Sequence, residues 1–300
     1  ENGQIENNNC SNFNRFWKVN GETITDFRTE FEQNGNILTA DEIDESILKW
    51  PGRNNPHFSD FELPQNQDLA PFWDFDNDGI YDPTQGDYPV IDGLHSALYA
   101  DQMLWWIFND NGGQHSTTNA EALRMEVHAL AYAFQTDNEL NDATFCKYDF
   151  INRGYSPLTE TYVGLYVDVD LGNFDDDYVG SIPAANMGYA YNGTTQNGIT
   201  FDPQYGENPP IIGTQFLYPI KDENGQAIDM AAFVQTNSGA WETDLINFPD
   251  YYNTMQGNWK DGTPITYGGN GFGGSEAHPY MFSDEPSDPN GWSECSENIS

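Results

Sequence analysis

Aspartates at 74, 76 and 78 recur at every second residue in the run Asp74-Phe-Asp-Asn-Asp-Gly-Ile-Tyr-Asp82, and Gly79 then permits a sharp turn. Three carboxylates this close repel one another unless a cation sits between them. Calcium takes six to eight oxygen ligands at ~2.3–2.6 Å, and D-x-[DN]-x-[DN]-G is the first half of a calcium loop. The backbone carbonyl of Ile80 would stand at the seventh ligand position. The twelfth position is Gln85 rather than a bidentate glutamate, and Pro83 blocks an immediate helix, so the loop is not an EF-hand. Asp82 and Asp87 are the nearest carboxylates that could supply the missing oxygens. A solvated acidic turn is the alternative.

A second acidic run reads Asp168-Val-Asp170-Leu-Gly-Asn173-Phe-Asp175-Asp176-Asp177. Asp168 and Asp170 leave one face of a strand end together, because side chains two apart in a strand are parallel. Gly172 turns the chain and returns up to three more carboxylates. Calcium is expected here too, against the alternative of an exposed acidic turn. Both runs offer only oxygen, which disfavours zinc and copper.

Other chemistry is poorly supported. His57, His95, His115, His128 and His278 show no H-E-x-x-H spacing, so a zinc protease is not expected. No G-x-S-x-G occurs, and the glycines at 268–274 lack the strand-turn-helix context of a phosphate loop. Trp105-Trp106 could offer a sugar platform. Neighbours on a strand face opposite ways, however, so at most one would be exposed. No catalytic residue is nominated.

With 48 acidic against 10 basic side chains and a formal charge of −38, the chain lacks the basic footprint of a nucleic-acid binder. The same charge disfavours adsorption to anionic lipid. Two calcium ions would cancel only about four charges, so the excess also points to a saline exterior that screens self-repulsion. An aromatic content of 15% argues against disorder. No apolar run is long enough for a transmembrane helix. The start at Glu1 suggests a processed, secreted chain. Cys146 falls in a strand pattern and is expected to be a buried thiol, whereas Cys10 and Cys295 could bridge the two ends.

Several elements must position these loops. Ile24, Phe27 and Phe31 have helical spacing over 23–34, and Thr39 with Glu42 forms a capping box for a second helix ending at Pro51. Residues 98–109 suit a buried strand or a short helix, and strand patterns run over 123–135, 144–152 and 160–170, with Asn152-Arg153-Gly154 and Pro157 as a turn. Shorter candidates lie at 186–191, 211–220 and 228–236. A mainly β protein is expected: an antiparallel β-sandwich or jelly-roll-like core, two short N-terminal helices and long ordered loops. The expected divisions are a helical and irregular segment over 1–72, a calcium-binding core over 73–240 and a loop-rich extension over 241–300. The Asn-rich residues 1–12 are expected to be loosely ordered or a docking arm.

The runs WDFDNDGIYDPTQGDYPV at 73–90 and DQMLWWIFND at 101–110, followed by His115, resemble the N-terminal region of large exported surface proteins of Bacteroidota. CSNFNRFW near the start, LKWPGRNNPHF at 48–58, VHALAYAF and DVDLGNFDDDYVG at 168–180 extend the likeness over residues 10–193. The resemblance implies passage through the type IX secretion system, a β-rich extracellular fold, and attachment or release at the cell surface. It carries over no catalytic residue. The sorting domain of such proteins is not found in these residues, so the natural polypeptide is expected to run on past Ser300. The resulting expectation is a calcium-stabilised structural or adhesive module contacting other modules or chains of a surface assembly, the secretion machinery, and glycans. The alternative is a secreted polysaccharide-active enzyme or carbohydrate-binding module.

Overall fold

Alternating residues over Met125–Ala133 (β5) and Thr144–Asn152 (β6) build the centre and one edge of an antiparallel sheet. The computed structural model describes residues 7–93, 96–113, 115–196, 205–218, 220–222, 224–236 and 244–297. The sheet runs β1 (Trp17–Asn20), β4 (Gln102–Asn109), β5, β6, with Trp17 opposite Trp105 and Trp105 opposite Leu130. This register places Trp17, Val19, Met103, Trp105 and Leu130 on one face, where all are buried. Trp105 is thus core, while its neighbour Trp106 faces the other way and meets Phe16 and Tyr148 edge-on.

The buried face is covered by helices and loops. The helix Gly21–Gln33 (α2), which follows Asn7–Phe13 (α1), buries Ile24, Phe27 and Phe31. The Thr39 capping box forms as expected. The segment it opens is a 3-10 turn over Ala40–Glu42 and then the single turn Glu45–Leu48 (α3), which Asp44 caps through Ser46 N–H. Ile43, Ile47, Trp50, Tyr81 and Val90 complete this core. Phe72–Trp73 (β2) and Tyr88–Pro89 (β3) pair as a two-residue ribbon.

The chain divides into two compact units that do not follow boundaries at 72 and 240. The first takes residues 1–114 and 121–158, and the second takes 115–120 and 159–300. In the second, Asp177–Ile182 (β7), Met187–Asn192 (β8) and Ile212–Gln215 (β9) form an antiparallel sheet. Ile220–Lys221 (β10) and Ala227–Ile228 (β11) form a small ribbon. Its core gathers Trp259, Ile265, Met281, Phe282 and Trp292, with Val179, Phe233 and Val234 packed alongside. Two helices, Phe248–Met255 (α4) and Glu294–Glu297 (α5), complete this unit among the described residues.

The mainly β expectation holds, but the sheets are separate and none closes on itself. Residues 160–170, expected as the next strand of the meander, carry no ladder. Side chains of α4 hold them instead. Tyr252 donates to the Glu160 carbonyl at 3.0 Å, Tyr162 meets the Tyr252 ring edge-on at 5.5 Å, and Gly164 lies against Met255. Of residues 1–12, read as loosely ordered or a docking arm, 1–6 lie outside the described residues and 7–12 are in the helix Asn7–Phe13. All three cysteines are free thiols, and Cys146 is exposed because its strand is a sheet edge with that face uncovered. No described helix is long and apolar enough to cross a membrane.

Candidate metal centre

The β2–β3 ribbon pinches together the two ends of the loop 74–87, with Trp73 opposite Tyr88. Inside the loop the aspartates fold the backbone onto themselves. The Asp78 N–H reaches Asp74 Oδ1 at 3.2 Å and Asp76 Oδ1 at 3.3 Å, while Gly79 N–H donates to Asp74 Oδ2 at 2.8 Å. The Ile80 N–H donates to Asp78 Oδ1 at 2.7 Å. Asn77 and Gly79 take left-handed conformations, φ 62° and 75°, that only such short or side-chain-free residues adopt cheaply.

The result brings one carboxylate oxygen from each of Asp74, Asp76 and Asp78 within 4.8 Å of the others. Two ligands on opposite sides of a calcium ion stand about 4.6–5.2 Å apart, twice the usual ligand distance. All three oxygens can therefore touch one ion, and the donor set is the hard oxygen that calcium or magnesium prefers. Among the described residues this is the one trio of acidic, histidine or cysteine side chains that closes so tightly. The Ile80 carbonyl accepts no hydrogen bond from any described residue, which leaves it available as a further ligand.

Asp82 and Asp87 serve the loop differently. Asp82 Oδ1 accepts from Thr84 N–H and Oγ1 and lies 3.0 Å from His57 Nε2, capping the 3-10 turn Pro83–Gln85. Asp87 is fully buried and spends both oxygens on backbone: Phe75 N–H donates to Oδ1 and Asp82 N–H to Oδ2, each at 2.8 Å. Burial, which outweighs these hydrogen bonds, pushes the Asp87 carboxyl up to about 7, and the charges of Asp74 and Asp76 add to the rise. Asp87 is the post on which the loop is hung.

Aromatic packing fixes that post. Tyr81 is buried, donates to the Ile47 carbonyl at 2.6 Å and meets Phe72 edge-on. Phe31 of α2 meets Phe75 edge-on at 5.5 Å. Gly86 sits at φ 104°, and a Cβ there would lie 2.7 Å from the Phe31 ring. His57 and Phe31 have no part in the sequence-based ligand set. The sequence signal for Phe31 is only its helical spacing, and nothing local announces that His57 reaches Asp82.

The second acidic run is arranged otherwise. Asp168, Asp170 and Asp175 are exposed, while Asn173 is buried. Leu171 N–H donates to Asp177 Oδ2 at 2.7 Å and closes the turn, and Phe174–Asp176 forms a 3-10 turn within it. Burial raises the Asp177 carboxyl above its ordinary range, and the charges of Asp176 and Asp170 add to this. These carboxylates do not converge as the first trio does.

One further polar cluster escaped the sequence reading. Glu126 Oε1 accepts from Arg153 Nη2 at 2.6 Å and lies 2.9 Å from Nε2 of the buried His128. Burial alone would raise this carboxyl, but the His128 and Arg153 hydrogen bonds and the Arg153 charge overcome it and hold it at about 2. The spacing of Glu126 and His128, two apart on a strand, was the available signal.

No protein-family model, curated protein or solved structure matches this chain.

Proposed function

We propose that this chain is a calcium-stabilised structural or adhesive module of a large extracellular surface protein. The observation that carries the reading is the convergence of Asp74, Asp76 and Asp78 oxygens within 4.8 Å on a loop anchored to a buried core. Without a cation those charges oppose one another and oppose ionisation of Asp87. With one they become ligands, and the ion would hold the loop against its own repulsion. Asp74, Asp76, Asp78 and the Ile80 carbonyl would hold the ion, and it would supply charge neutralisation.

Localisation at the cell surface and export by type IX secretion rest on the resemblance described from the sequence. They fit a chain of net charge −38 that a saline, calcium-bearing medium would screen. Partners would be neighbouring modules or chains, with glycans as adhesive ligands. Nucleic acid is disfavoured by charge.

Thermal melts of the chain at low ionic strength, with calcium or with a chelator, test the reading. Calcium at 100 times its dissociation constant should add about 2.7 kcal/mol to the stability of the folded state. The double variant Asp76→Asn, Asp78→Asn should abolish that gain at this loop. A melting temperature indifferent to calcium and chelator alike would sink the proposal.

A further inference from the structure

Asn173 stands at the N-cap position of the 3-10 turn Phe174–Asp176, where an asparagine oxygen ordinarily accepts a backbone N–H of the first turn. Here it accepts none. The residue is only 6% exposed, and its Oδ1 is sealed from solvent without a hydrogen-bond donor. Asp177 Oδ1 is in the same condition, although Oδ2 of that carboxylate takes the Leu171 N–H. Buried oxygens without a donor are costly, and native proteins rarely tolerate them without a hidden partner. Two of them occur four residues apart, inside a turn that the Leu171–Asp177 bond closes, in a run that also carries Asp168, Asp170, Asp175 and Asp176.

Acceptor-only oxygens surrounded by acidic residues call for a partner that is positive and offers no lone pairs. A metal cation is such a partner, and it needs no donor geometry.

We infer that the turn 170–177 is a second, separate calcium site, in which Asn173 Oδ1 and Asp177 Oδ1 are the inner ligands. Asp170 and Asp176 supply negative charge around it, and backbone carbonyls or water fill the remaining positions that calcium requires. With fewer carboxylates converging than at 74–78, this site is the weaker of the two, because ligand charge sets calcium affinity. The inference shares the calcium reading of the proposed function, and the experiment separates the two.

Native mass spectrometry of the chain across a calcium titration counts bound ions, with far-UV circular dichroism as a check on folding. The unaltered chain should bind two. Asp177→Ala should bind one, and so should the double variant Asp76→Asn, Asp78→Asn. Asn173→Asp preserves shape and adds a charge to the inner ligand, so it should keep both ions and tighten the weaker one by about tenfold. A merely buried asparagine predicts the opposite: a destabilised chain that calcium does not restore. If Asp177→Ala and Asn173→Asp leave ion count and affinity unchanged, the second site is overturned, whatever the first loop does. If only the ion lost in the Asp177→Ala variant is found, the second site stands and the calcium role of 74–78 falls.

Discussion

The loops 74–87 and 168–177 are both aspartate-rich, and they solve the same electrostatic problem in opposite ways. The first gives its one buried carboxylate, Asp87, two backbone donors and keeps the triad of Asp74, Asp76 and Asp78 towards its more exposed side. The second gives its half-buried Asp177 one backbone donor and seals further oxygen away without any. The number of acidic residues therefore says little about a site. What distinguishes the loops is how their oxygens are treated: those of Asp74, Asp76 and Asp78 converge while accepting backbone N–H groups of their own turn, whereas Asn173 Oδ1 and Asp177 Oδ1 are sealed away with no donor.

Deleting each anchor tests the comparison most severely. Asp87→Ala orphans two part-buried N–H groups, each worth about 1–3 kcal/mol, so a loss of about 2–6 kcal/mol is expected. Asp177→Ala removes a single such bond, from Leu171 N–H, so a smaller loss of about 1–3 kcal/mol is expected in calcium-free buffer. Denaturant midpoints measure both. Equal losses would mean that Asp87 is not the post that the geometry makes it.

Glu126 supplies a contrast in which protein charge does what a cation would do for the loops. Its carboxyl is held at about 2 in the folded chain, while an unfolded glutamate titrates near ~4.3. The depressed value means that its stabilisation is complete above the unfolded value and is lost as pH falls from about 4 towards 2. At ~1.4 kcal/mol per unit this reaches up to about 3 kcal/mol. Acid titration of stability in calcium-free buffer should show that loss. In Arg153→Met the low-pH step should shrink. A step of unchanged size in Arg153→Met would place the effect elsewhere than at Glu126.

A smaller effect is expected at Gly86. Alanine there must hold φ 104° and press its Cβ towards the Phe31 ring, costing about 1–3 kcal/mol. Because Phe31 also packs on Phe75, the change should weaken calcium binding at 74–78 and leave binding at 170–177 unaltered. Calorimetric titration of Gly86→Ala reads both at once.

Local patterns carried most of what the sequence disclosed. The strand at 144–152 was legible to the residue, because apolar and polar residues largely alternate there and Asn152-Arg153-Gly154 ends it. The Asp74-Asp76-Asp78 convergence was legible for the same reason, since glycine and spacing determine the turn. Distant contacts were not. Residues 160–170 have a strand pattern, yet Tyr252 and Met255 from a helix some ninety positions on decide their course. That helix was itself announced by Asn247, Pro249 and Asp250, a capping box in a region that composition marked as loop. The exposure of Cys146 depended on its strand being an edge, which alternation alone does not reveal. The partition into units was hidden because residues 115–120 belong with the later part of the chain.

The least expected change is the one that most sharpens the division within the second loop. Asp175 is exposed and has no partner among the described residues, whereas Asn173 and Asp177 are drawn into the turn. A surface charge of this kind is worth within about 0.5 kcal/mol. Asp175→Asn should therefore leave the melting temperature and the ion count unchanged and weaken calcium only slightly, by removing one screened charge. Asn173→Asp, two positions away and of opposite charge change, should act strongly. Composition treats these two positions alike as acidic-loop residues. If Asp175→Asn proved as damaging as Asp177→Ala, the ion would be held by the outer carboxylates of the run, and the sealed oxygens would owe their condition to packing alone.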